Sequence, residues 1–154
     1  MLYYHCLSNW DKRAEGRLTL DYANLQRLLA EKDDALRAVR AMNDELAKND
    51  FGLTAAAHLR LKQHFQFYDL YARGFALCAR VCLIAKALGD EAMEAARKPE
   101  LRARQEKNLQ DLSDYAHDLE RFEETTSHPY YVYLIMNHRN LQGILDQAQE
   151  MLGR

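Results

Sequence analysis

Apolar residues return every three or four positions through most of this chain, and that spacing predicts one helix after another. Tyr22, Leu25, Leu29, Leu36, Val39 and Leu46 form a stripe that predicts a first helix over 19–48, with Thr19 or Asp21 capping its start. Leu61, Phe65, Tyr68, Phe75, Cys78, Cys82 and Ala85 form the next, a long apolar helix over 54–88 that points this stripe at a core and ends on Gly89 as its C-terminal cap. Gly74 lies inside it and costs about 1 kcal/mol relative to alanine unless a neighbouring backbone packs close. Leu101, Leu109, Leu112, Ala116, Leu119 and Phe122 predict a third helix over 100–126. Pro99 should interrupt it, leaving a turn or two in "DEAMEAARK" before the restart.

The stretch "TTSHPYYVYLIMNHRN" at 125–140 is the ambiguous one, because Tyr130, Val132 and Ile135 favour strands. Pro129 suits the first position of a helix, and Tyr130, Leu134, Leu141, Leu145, Ala148 and Leu152 continue a helical stripe as far as Gly153. The reading is a fourth helix over 129–152. Connections of a few residues force neighbouring helices antiparallel. The expected fold is therefore all-α: an antiparallel up-down bundle of four main helices, occupying 19–154 behind an extended or loop segment at 1–18.

Composition narrows what such a bundle does. The 154 residues suffice for one domain with its own core, and 48% hydrophobic with 29% charged is an ordinary globular balance. Twenty-one basic against 23 acidic residues give a formal charge of −2, so no overall field gathers nucleic acid and no DNA partner is expected. The longest apolar run, "FALCARVCLIAKAL", is too short to cross a bilayer and is broken by Arg80 and Lys86. "MLYYHCLSNW" lacks the pattern of a signal peptide, and three cysteines do not make a secreted disulfide framework. These features point to a cytoplasmic domain with reduced thiols, or to a piece of something longer.

Candidate chemistry is sparse. Cys78 and Cys82 share a helix face and could be imagined with His5 and Cys6 around zinc, but cysteine inside a strongly apolar helix acts as a small hydrophobe, so no metal is expected. "HLRLKQH" at 58–64 resembles a phosphotransfer helix only until the spacing and the missing small residue are checked. No Glu-x-x-His pair, Cys-x-x-Cys-His, glycine-rich phosphate loop or Gly-x-Ser-x-Gly elbow occurs, and no cofactor is expected. Arg121 and His128, six residues apart, look like the motif of the HEPN-type ribonucleases. That resemblance implies His128 as general base or acid and Arg121 holding the scissile phosphate.

Aromatic residues are the remaining signal. "HFQFYDLY" and the tyrosines of the fourth helix cover more than one helix face. They serve a thick core or an interface, and the interface candidates are Tyr3, Tyr4, Trp10, Phe65, Phe67, Tyr68, Tyr71 and Phe75. "LSNWDKRAEGRLTLDYANLQRLLAEKDDALRAV" and "FQFYDLYARGFALCARVCLIAKAL" resemble the helical regions that follow the catalytic barrel in some large glycoside hydrolases. The resemblance covers roughly the first ninety residues and implies an accessory bundle packed on a barrel, with catalytic carboxylates elsewhere. The function expected is thus a non-catalytic interaction or accessory domain, partnered by another domain of a longer chain or by a second copy. The alternatives are the ribonuclease and a bundle enclosing a small apolar ligand between the second and fourth helices.

Overall fold

The computed structural model describes residues 20–125 and, further on, Gly143, Asp146 and Gln149. Among the described residues there are helices and no strand: α1 (Tyr22–Lys48), α2 (Ala55–Gly89) and α3 (Lys98–Thr125), the last entered through a 3-10 turn at Ala95–Arg97. Gly143, Asp146 and Gln149 are helical and exposed. The expected N-terminal segment, and the expected fourth helix apart from those three positions, lie outside the described residues.

The helix ends follow from local chemistry. Asp21 rather than Thr19 starts α1, its carboxylate accepting the Asn24 N–H at 2.8 Å. Thr54 does the same for α2, accepting the Ala57 N–H at 3.3 Å. Between them the chain reverses through two left-handed residues, Phe51 at φ 54° and Gly52 at φ 69°. Gly89 is not the left-handed cap expected. It is the last residue of α2, and extended Asp90 follows it, donating its N–H to the Ala87 carbonyl and accepting the Ala92 N–H on its own carboxylate. That aspartate turn redirects the chain without positive φ. As expected, a short turn at Ala95–Arg97 precedes the long helix, and Pro99 falls in the first turn of α3, where its missing N–H has no intrahelical acceptor.

Cross-helix contacts fix the topology. From α1 to α2 the partners are Asp33 with Arg80, Arg40 with Asp69, Asn43 with the Phe65 carbonyl and the Leu46 carbonyl with His58. Numbers rise on one helix as they fall on the other, so the pair is antiparallel. The same holds for α2 and α3, where Val81 meets Gln105, Gly74 meets Tyr115 and Arg73 meets Asp118. α1 and α3 therefore run parallel. They meet near their starts, where the Tyr22 hydroxyl donates to Glu100 at 2.9 Å and the Arg97 guanidinium lies 4.4 Å above the Tyr22 ring.

Two apolar clusters result. Leu20, Leu25 and Leu29 pack with Leu83, Ile84, Ala87, Met93 and Leu101 where all three helices converge. Phe67, Leu77, Cys78 and Val81 pack with Leu109, Leu112, Tyr115 and Leu119 between α2 and α3 alone. Emptying one such position, Leu112 or Leu119 to alanine, costs about 2–5 kcal/mol. The glycine expected to admit a neighbouring backbone admits a ring instead: a Cβ on Gly74 would sit 2.7 Å from Cε1 of the fully buried Tyr115.

The inward seam of α3 alternates steps of four and three through Leu101, Gln105, Asn108, Leu112, Tyr115 and Leu119. Two of these layers are polar. Gln105 donates to the Val81 carbonyl at 2.9 Å, while its side-chain oxygen and the Asn108 side-chain nitrogen make no hydrogen bond among the described residues. Neither residue belonged to the apolar stripe read from the sequence.

Two outcomes follow from these contacts. Gly74→Ala should lower stability by about 1–3 kcal/mol through overpacking, although alanine is the better helix former by about 1 kcal/mol. Shortening the ring in Gly74→Ala with Tyr115→Leu should make the two losses less than additive in urea denaturation. Asn108→Leu, which removes a buried side-chain nitrogen that finds no partner among the described residues and keeps a similar volume, should raise the urea midpoint by an amount equivalent to about 1 kcal/mol.

Candidate functional surfaces

A groove of about 280 Å³ runs along α2 between α1 and α3. Leu36 and Arg40 line it from α1, Arg73, Leu77 and Arg80 from α2, and Asp111 and Asp114 from α3. Its arginines are spaced so that each reaches a carboxylate on a neighbouring helix. Arg80 pairs with Asp33 and Arg73 with Asp118, both pairs partly buried, and Arg40 lies 3.8 Å from Asp69. Arg73 also stacks on the Tyr115 ring, 5.0 Å from its centroid. These pairs tie α1 and α3 to α2 along the two walls, and partial burial makes them stronger than exposed pairs on a helix face.

Asp118 is held by two arginines. One oxygen accepts from Arg73 and the other from Arg121 at 2.5 Å. The hydrogen bond from Arg73 is the main reason that its carboxyl titrates below the ordinary carboxylate range, with the charges of Arg73 and Arg121 adding and burial opposing. Arg121, the expected phosphate holder, is itself exposed on α3 and donates to Asp118. His128 lies outside the described residues. Tyr22 shifts the other way, upward, chiefly because its hydroxyl donates to the Glu100 carboxylate.

His58 donates from Nε2 to the Leu46 carbonyl at 3.0 Å, satisfying one of the orphan acceptors in the last turn of α1. Cys78 and Cys82 are buried. Among the described residues no three His, Cys, Asp or Glu side chains gather as a metal-ligand set, and no helix is long and apolar enough to cross a membrane.

The aromatic candidates are spread around α2. Phe67 is buried against α3, Phe65 and Phe75 are half-buried, and Tyr68 and Tyr71 are 49% and 37% exposed. Tyr68 stands 5.9 Å from both Phe65 and Phe67, ring centre to ring centre, and Tyr71 stacks at 6.4 Å on Phe67. Tyr3, Tyr4 and Trp10 lie outside the described residues, as does any pocket against a fourth helix.

A second apolar patch escaped the sequence reading. Met42, Phe51, Leu53 and Leu59 are exposed around the α1–α2 connection, with Phe51 at 60%. The signal was present: "KNDFGL" places a phenylalanine and a leucine about a turn glycine, where polar residues are the rule. The left-handed backbone of Phe51 could not have been read, because nothing in its residue type favours it.

Comparison with protein-family models, with curated proteins and with solved structures finds no match to this chain.

The Asp118 carboxylate supplies a pH test. Its folded pKa is lowered, so its contribution is fully present above the unfolded-state value, about pH 4, and is lost as pH falls through the folded value. Asp118→Asn should lower stability by about 1 kcal/mol at neutral pH and flatten the acid limb of the stability–pH curve, measured by urea unfolding at stepped pH.

Proposed function

We propose that this chain is a non-catalytic helical interaction module, completed to four helices by residues 129–152, which docks another protein surface through the apolar end formed by Met42, Phe51, Leu53 and Leu59. Phe51 carries the reading. A phenylalanine held in left-handed backbone costs of order 1–2 kcal/mol relative to glycine, and its exposed ring repays none of that within the described fold. A residue that breaks a local rule with no packing gain marks a surface kept for another purpose. The resemblance of the first ninety residues to barrel-following helical regions supports another domain of a longer polypeptide as the partner. A second copy offers the same chemistry.

The paired arginines and aspartates of the groove favour this reading over a reaction site, since each arginine is engaged across helices. Phe51→Gly should raise stability by about 1 kcal/mol while weakening association. With Leu53→Ser and Leu59→Ser added, self-association in a sedimentation concentration series should weaken about tenfold or more. Unchanged association in that triple variant would remove this surface as the docking site.

A further inference from the structure

We draw no further inference here: the strongest candidate, the groove along α2 lined by Asp111 and Asp114 of α3 with Arg40, Arg73 and Arg80, carries nothing, because each arginine is engaged by a carboxylate of the protein itself and two aspartates on one helix do not by themselves make a site.

Discussion

The bare backbone of α2 at Gly74, with the Tyr115 ring of α3 lying on it, sets the register of the molecule. Any side chain there would hold the two helices apart, and close-packed interiors do not absorb such a displacement. Once the ring is seated, the rest of the α2–α3 interface follows by helical arithmetic. One turn toward the end of α3, Asp118 reaches Arg73; nearly three turns toward its start, Gln105 reaches the Val81 carbonyl. Arg73 closes the arrangement by covering the outer face of the same ring.

That register also decides where the molecule is left unfinished. α2 has 35 residues and α3 has 28, and their antiparallel alignment lets α3 cover the second half of α2 while the first turns extend beyond it. Among the described residues α1 alone accompanies α2 there, through Asn43, Leu46 and His58. Met42, Phe51, Leu53 and Leu59 are exposed toward this end, while Tyr68 and Tyr71 are exposed further along α2. Charged residues instead fill the groove between α1 and α3, where their pairs hold three helices in place. The described helices therefore separate a polar, ion-paired groove from an exposed apolar end.

The sequence by itself determined the helices. Apolar residues spaced by three and four, polar caps at Asp21 and Thr54, and Pro99 in a first turn are short-range signals, each acting within a turn or two of the backbone. The leucines of α1 and α3 singled out by that spacing are buried or half-buried. Sequence spacing alone did not decide which stripe of α2 meets which neighbour. α2 is apolar on three sides, so periodicity has no preferred phase there, and the stripe through Phe65, Tyr68 and Phe75 read as core is not the one that α3 covers. Gln105 and Asn108 were passed over for a related reason, since their burial comes from the position of Val81 across the interface rather than from polarity along α3. Phe51 needed the tertiary structure most: it takes a positive φ in the turn between α1 and α2, and residue type alone argues against it.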